Sequence, residues 1–438
     1  MAEPAAPTAQ KTRAANLGEQ ISAARSSWQY WLLFFGVLLL PLALVLSHKM
    51  VGVLVLIGGI ITAASPRIWK NTAYKEQFLS PAAGSIALFF FLGLCLWLAI
   101  TAIWSIAPKA PTLFLIPMAP CLAALAMSQW LARGAAEQAE GLCRVFAFAI
   151  VTSAILLGFE ALTGGWLRLI TPPTDLSWNR HKDIAYLGRG VTILVLMVFP
   201  AALIMQHRQH HWLWLFILTA LALYTGISFT ISANALGLAV GVLAFVVALR
   251  HPRATLMALT GFILACLIFM PAVAAALPAA LLHASLEGSV PASWLQRLYV
   301  WQATGAEIIT GLPFGHGVDY ARILTRTTPT IEIAGAVGPL QVFPIHPHSA
   351  FLQLWLEGGL PAVLLAAGGL IYGVRALLDS GLSTRTRAGF AGVMAASLVS
   401  FGVEASLWQL WRPAAIGLAM AALVAFDRAT QRTAARAG

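Results

Sequence analysis

Apolar residues run through this chain in stretches of about 20, separated by short breaks of charged residues, Pro and Gly. The two-residue alternation of a half-buried strand is not what prevails. A helical stretch of that length covers a hydrocarbon core roughly 30 Å thick, and a backbone in lipid must pair its own hydrogen-bonding groups, so each stretch predicts a spanning helix. The stretches lie at 28–47, 50–66, 82–104, 112–131, 143–162, 189–206, 212–230, 233–249, 254–276, 350–374, 388–407 and 410–426, twelve in all. The break between the seventh and eighth is tight enough to leave a re-entrant hairpin open. The expected fold is an all-α polytopic membrane protein: a tail over 1–27, helices over 28–276, a long loop over 277–349, helices over 350–426 and a second tail over 427–438.

An even number of spans puts both tails on one side. Lys and Arg concentrate in the tails and in the loops on their side, which by the positive-inside rule makes both tails cytoplasmic. Two connections on the outer side, 163–188 and 277–349, are longer than joining helices requires, and long ordered loops are where function concentrates. In the second, Leu298, Trp301, Gly305 and Ile308 recur at helical spacing, so Trp294 to Ile309 is expected to form an amphipathic helix along the membrane surface. Turn chemistry follows it in Gly311-Leu312-Pro313-Phe314-Gly315-His316-Gly317.

Composition narrows the function. With 438 residues, 59% hydrophobic, 10% charged and a mean hydropathy of +0.81, the chain is no soluble domain. Its net charge of +11 is scattered over loops rather than gathered on one surface, so nucleic acid is not an expected partner. The four cysteines show no metal-ligand spacing, and neither a metal nor a cofactor is expected. Helix centres are apolar and no internal repeat is visible, which argues against a secondary transporter or flippase, the reading from another class that helix number alone would allow.

Polar chemistry collects at the outer edge. Cations remain there against the positive-inside bias: Lys109, Arg168, Arg180, Lys182, Arg189, Arg297, Arg322, Arg326 and Arg412. Arg189 opens the sixth stretch, Arg297 opens the amphipathic helix and Lys109 lies between the third and fourth stretches, positions from which all three can border one outward cavity. Arginine holds phosphate oxygens in a fork of parallel hydrogen bonds. Snorkelling at headgroups, or pairing with Glu160, Asp183 or Glu307, is the plainer alternative. Ser349 is an N-cap candidate for the helix at 350–374, and a helix N-terminus keeps the adjacent His348 neutral and favours an anion, as suits a general base beside a phosphate. His346, separated by Pro347, is expected to point elsewhere. Glu357 is an acid inside an apolar helix; nine residues from His348, it falls on the opposite face and is expected to pair with another helix, while Gly358-Gly359-Leu360-Pro361 permits a kink.

These segments resemble the bacterial O-antigen ligases and the related O-antigen and exopolysaccharide polymerases. The resemblance is carried by His348-Ser349 with Gly359 beyond, by Trp104-Ser105-Ile106-Ala107-Pro108, by Arg297-Leu298-Tyr299-Val300-Trp301 and by Leu312-Pro313-Phe314-Gly315-His316-Gly317. Two positions depart from it: Ala362 where the family has Gly, Thr or Tyr, and Ala233-Asn234 where many members have Ser-Arg. The resemblance implies a GT-C-like membrane glycosyltransferase of the bacterial inner membrane with a periplasmic site. It would move a glycan from undecaprenyl pyrophosphate to lipid A-core, or in a polymerase to a lipid-linked repeat unit, with inversion and without a metal. His348 would be the general base, Arg189 and Arg297 would bind the pyrophosphate, and Lys109 would assist.

Overall fold

The computed structural model describes residues 28–65, 68, 81–107, 110–170, 180–208, 211, 213–224, 233–276, 292–333 and 338–437. Lys109, the tail at 1–27 and the junction at 225–232 lie outside the described residues.

The described residues are helical almost throughout. In order come α1 (Trp28–Leu46), α2 (Lys49–Ala63), α3 (Pro81–Thr101), α4 (Leu115–Ala132), α5 (Ala136–Thr163), α6 (Arg180–His207), α7 (Leu213–Tyr224), α8 (Ala233–Ala248) and α9 (Pro252–Ala275). Then follow α10 (Ala292–Thr310), α11 (Tyr320–Thr327), α12 (Ala350–Leu378), α13 (Thr384–Val403) and α14 (Trp411–Ala437). The turn at Leu39 interrupts α1, with Pro41 in the first turn of its second piece, where a missing N–H costs nothing. Each of the twelve expected stretches holds a helix, yet among the described residues nine helices are long and apolar enough to cross a membrane. The three that fall short are α2, α7 and α8, of 15, 12 and 16 residues. At 1.5 Å per residue their described parts reach about 18–24 Å, less than the core. At the other end, α14 continues as helix through Ala437, into the segment expected to be a tail.

Helix α6 is the axis of the bundle. Val191 to Ile204 are buried without interruption, enclosed by α1, α5, α8, α13 and α14. At the periphery, Phe89 of α3 and Phe262 and Phe269 of α9 are 70%, 59% and 61% exposed. Large rings turned outward on helices with scarcely a charge are what a lipid-facing surface requires.

The described parts of the long loop, 292–333 and 338–349, are structured. Helix α10 packs against α9 and α12, burying Leu295, Val300, Thr304 and Ile308, with Gly305 against Ala275, so its apolar face is covered by protein. Beyond α11, two short strands, β1 (Thr330–Ile331) and β2 (Leu340–Gln341), pair antiparallel with Thr330 opposite Gln341, before the chain reaches α12.

Helix α12 breaks at Gly359, whose φ of +62° and ψ of −163° suit only glycine. The break frees the carbonyls of Leu356, Glu357 and Gly358, and Pro361 has no N–H to offer. Each is recovered from outside the helix. His316 N–H donates to Leu356 (2.8 Å), Gly317 N–H to Glu357 (3.0 Å) and Trp97 Nε1–H to Gly358 (2.7 Å), while Leu360 N–H turns to the Pro313 carbonyl (2.8 Å). The approach is so close that a Cβ on Gly359 would lie 2.3 Å from the Pro313 oxygen, and one on Gly315 (φ +74°) 2.7 Å from Glu357 main-chain atoms. The 312–317 segment is thus spliced into the helix break.

Candidate active site

Glu357 anchors this splice. It is fully buried and accepts from Asp319 N–H (2.7 Å), Trp408 Nε1–H (2.8 Å) and Gln353 Nε2–H (2.9 Å), tying two loops to α12 rather than a second helix. Gln353 in turn accepts from Leu407 N–H (2.9 Å). The first arm of α12 is therefore held along one side, and His348 stands at its start.

His348 adopts a left-handed conformation (φ +53°), uncommon for a non-glycine residue and of a kind that persists where surroundings over-determine it. Ser349 caps α12, accepting from Leu352 N–H at 3.5 Å. The expectation that His346 points elsewhere is overturned. Its Nδ1 accepts from His348 N–H (3.2 Å), and the two rings lie 4.5 Å apart, because the left-handed turn at His348 folds the chain back past Pro347. Both imidazoles belong to one site.

Helix α10 fixes this loop from the side. Arg297 and Trp301, four residues apart and so on one face, donate respectively to the Val403 carbonyl (Nε, 2.9 Å) and the Pro347 carbonyl (Nε1, 3.1 Å). Arg297 is 6% exposed and also donates from Nη1 to Ser293 O (2.8 Å). It sits in the second turn of α10 rather than at its start. Burial lowers its pKa, and Glu404 opposes that shift.

Arg412, one of the outer cations in the sequence, proves central. It is 2% exposed, pairs with Glu404 Oε1 (2.9 Å), donates to Gln409 Oε1 (2.6 Å) and to the Ser400 hydroxyl, and lies over the Trp411 ring at 4.5 Å. Arg189 lies nine residues into α6, because that helix begins earlier than the apolar run does. Its guanidinium is 5.2 Å from the Tyr186 ring, and among the described residues it makes no ion pair. Of the carboxylates considered for it, Glu160 instead accepts from Leu167 N–H and Arg168 N–H, and Glu307 takes Tyr320 Oη–H.

Electrostatics joins these groups. The His348 pKa is lowered to about 4, by burial first and then by the charges of Arg297 and Arg412, with a backbone hydrogen bond at Glu404 acting the other way. His346 is pushed well below its usual range by burial, His348, Arg412, Arg189 and Arg322. Burial and neighbouring cations keep His348 neutral. Its Nδ1 is buried with no hydrogen-bond partner among the described residues, a lone pair left available. Arg297 and Arg412 thus act on His348, and Arg189 acts on His346, whose ring lies against that of His348.

Asn234 stands where the resemblance led to an arginine. Its side chain is buried, donating to Gly188 O (2.9 Å) and accepting from Thr192 Oγ1–H (2.9 Å), so it clamps α8 to α6 beside Arg189 and supplies no charge.

No family model matches this chain. A curated protein of Rickettsia prowazekii (strain Madrid E), provisionally named a polysaccharide ligase, is 22% identical to it over 263 residues. The match covers 60% of this chain and 62% of the relative's length, so it spans less than two thirds of either. The chain is thereby a distant relative of a protein named among the polysaccharide ligases, in support of the O-antigen ligase-like family that its sequence resembles.

Proposed function

We propose that this protein is a membrane glycosyltransferase of the O-antigen ligase type, moving a glycan from undecaprenyl pyrophosphate to a lipid A-core hydroxyl at the periplasmic face. The observation that carries the reading is a neutral His348 with an unpartnered Nδ1, set among arginines that outnumber their carboxylate partners. His348 Nδ1 takes the acceptor hydroxyl proton as that oxygen bonds to the anomeric carbon. The bond from carbon to the phosphate oxygen breaks, its electron pair leaves with the pyrophosphate, and the configuration inverts. General-base assistance of this kind contributes about 10²- to 10⁴-fold.

A histidine held near 4 is a weak base, and the donor corrects this. A pyrophosphate bound by Arg189, Arg297 and Arg412 offsets the charges of Arg297 and Arg412, which add to burial in depressing His348, so its basicity rises only when the donor is seated. The same arginines stabilise the charge that develops on the leaving group, the work a divalent ion does in many soluble transferases. Lys109 is proposed as a further cation for that group.

The test is a reconstituted transfer reaction with undecaprenyl-pyrophosphate glycan, lipid A-core and EDTA, comparing wild type with His348→Ala. Product on lipid A-core that persists in EDTA and disappears in the variant is the expected result. Longer lipid-linked chains in its place would identify a polymerase, and absence of any His348-dependent transfer overturns the mechanism.

A further inference from the structure

A pocket of about 510 Å³ opens beside the break in α12, of a size that takes a small ligand, and the mechanism above leaves it unused. Its walls come from Trp104 and Ile106 beyond α3, Thr310 at the end of α10, Phe314 and His316 of the spliced loop, and Tyr320 at the start of α11. Trp104, Ile106 and Phe314 are large and apolar, yet 39%, 66% and 55% exposed. The indole is nonetheless fixed. Trp104 Nε1–H donates to the Gly315 carbonyl (3.1 Å), and its ring meets that of Trp97 edge to face at 5.9 Å, with Phe314 against the same Trp97 at 6.1 Å. A tryptophan that only anchors a chain at the bilayer surface keeps its N–H for the wet side; here the N–H is spent on the protein and the ring is set in place.

The polar groups of the pocket have likewise spent their hydrogens. Thr310 Oγ1–H donates to the Glu307 carbonyl (2.8 Å) and Tyr320 Oη–H to the Glu307 carboxylate (2.9 Å). His316 Nε2 also lies 3.0 Å from the Glu307 carbonyl, which can only accept, so that nitrogen carries the ring hydrogen. Tyr320 holds the imidazole there, stacked on it at 4.2 Å and 9°. What the Thr310 and Tyr320 oxygens and His316 Nδ1 can still offer a ligand is lone pairs. No lysine or arginine is among the described residues that line the pocket. Acceptors and aromatic faces without a cation suit a neutral ligand that brings its own O–H groups. A pyranose does: the weakly positive hydrogens of its C–H face meet the negative face of an aromatic ring, and its rim is hydroxyls.

We propose that this pocket binds a neutral pyranose of the acceptor glycolipid, stacked on Trp104 and Phe314 with its hydroxyls donating to Thr310 and His316. This deepens the transferase reading and rests on it. The 312–317 segment is bonded to Leu356 and Glu357, which at 1.5 Å per residue lie about 12–14 Å along α12 from His348. On that reading the donor's first sugar is held at His348 by its diphosphate, so a sugar that far down α12 is not the one transferred. An acceptor glycolipid bridges the interval. Its tail lies in the bilayer, its innermost sugars lie at the surface beside the exposed Ile103, Ile309 and Leu312, and the hydroxyl that attacks lies farther along its glycan.

The test is isothermal titration of octyl β-glucoside, below its micelle concentration, into the full-length protein in amphipol. Trp104→Leu is expected to weaken binding about tenfold and Thr310→Val about fivefold, the worth of one stacked ring and one hydrogen bond. Trp104→Phe loses the same bond to Gly315 but keeps a ring, so it should stay within about threefold of wild type. A loss equal to that of the leucine variant would put the effect in the loop and overturn the stacking. Octyl tetraethylene glycol ether, with the same tail and no sugar, should not bind. Displacement of the glucoside by that ether or by phosphatidylethanolamine would make the pocket a bilayer contact and overturn the assignment. Labelling with 5-fluorotryptophan reads the wild type directly: the ¹⁹F resonance of Trp104 must move with the glucoside, and an unmoved one overturns the pocket. In the transfer reaction Trp104→Leu and Thr310→Val should raise the acceptor KM about fivefold, with donor KM and kcat within about twofold; a raised donor KM instead overturns the acceptor assignment. Transfer lost in His348→Ala with glucoside binding unchanged in Trp104→Leu and Thr310→Val would leave the transferase reading standing and remove this pocket alone.

Discussion

Exchanging Glu357 for Gln tests whether the splice in α12 depends on a carboxylate. In the native site Oε2 accepts from Asp319 N–H and Trp408 Nε1–H, and Oε1 accepts from Gln353 Nε2–H. An amide has one acceptor oxygen. If that oxygen serves Asp319 and Trp408, the new NH₂ faces the NH₂ of Gln353, and turning Gln353 over to relieve this sacrifices its bond from Leu407 N–H. One hydrogen bond is lost in either arrangement, with a buried donor left unpaired, for a cost of about 2–3 kcal/mol. The companion exchange makes the argument sharper. Glu357→Gln combined with Gln353→Glu restores every bond: the carboxylate now at position 353 accepts from Leu407 N–H and from the new amide at 357, whose oxygen serves Asp319 and Trp408. The double variant should therefore recover most of the loss, as a double-mutant cycle would measure. Unfolding in mixed micelles with increasing SDS gives the stabilities, and hydrogen exchange at Asp319 N–H reports the splice locally. A double variant no more stable than Glu357→Gln alone refutes the account.

Three further outcomes are expected. On the proposed mechanism the active form of His348 is neutral, with its pKa depressed to about 4, so kcat/KM should hold above that value and fall as pH drops through it, while the acid limb of kcat should lie higher because bound diphosphate raises the base; a kcat limb at or below that of kcat/KM contradicts the coupling. Gly359→Ala places a Cβ 2.3 Å from the Pro313 oxygen at φ +62°, and should cost about 3 kcal/mol or more in the same SDS titration, where an unshifted midpoint would show the break to be adaptable. Asn234→Leu removes the clamp between α8 and α6 and should cost about 1–2 kcal/mol in that titration; equal stability of the leucine variant and wild type would show that the clamp contributes nothing.

Twelve apolar runs were legible as helices because period and length in lipid leave little else for a chain to do. The span count was less legible: α2, α7 and α8 lie in runs that read as full-length stretches by hydropathy, but their described helices cover only 15, 12 and 16 residues of those runs. Arg297 with Trp301 and His348 with Ser349 could be read because each lies at a local spacing that fixes which face a side chain occupies. Arg412 was legible only as one outer cation among nine. It is one polar residue at the edge of an apolar run, and only the packing of α14 brings it against Glu404 and Ser400. His346 was misplaced for a related reason: the effect of Pro347 was visible, the left-handed turn at His348 was not. Glu357 announced itself as a buried acid, but its partners are main-chain and indole N–H groups, which carry no signature in sequence.

The break at Gly359 also sets a height. The arm of α12 beyond it, residues 360–378, rises about 28 Å, enough to cross the hydrocarbon core without help. The arm before it, residues 350–358, is then surplus to crossing and serves as a pedestal of up to about 13 Å, with His348 at its top. A donor whose tail stays among the acyl chains can present its sugar at that level without being drawn out of the membrane, and the hydroxyl it meets can arrive from water. On the proposed transferase reading, the glycine sets where the oily part of the reaction would end and the wet part begin.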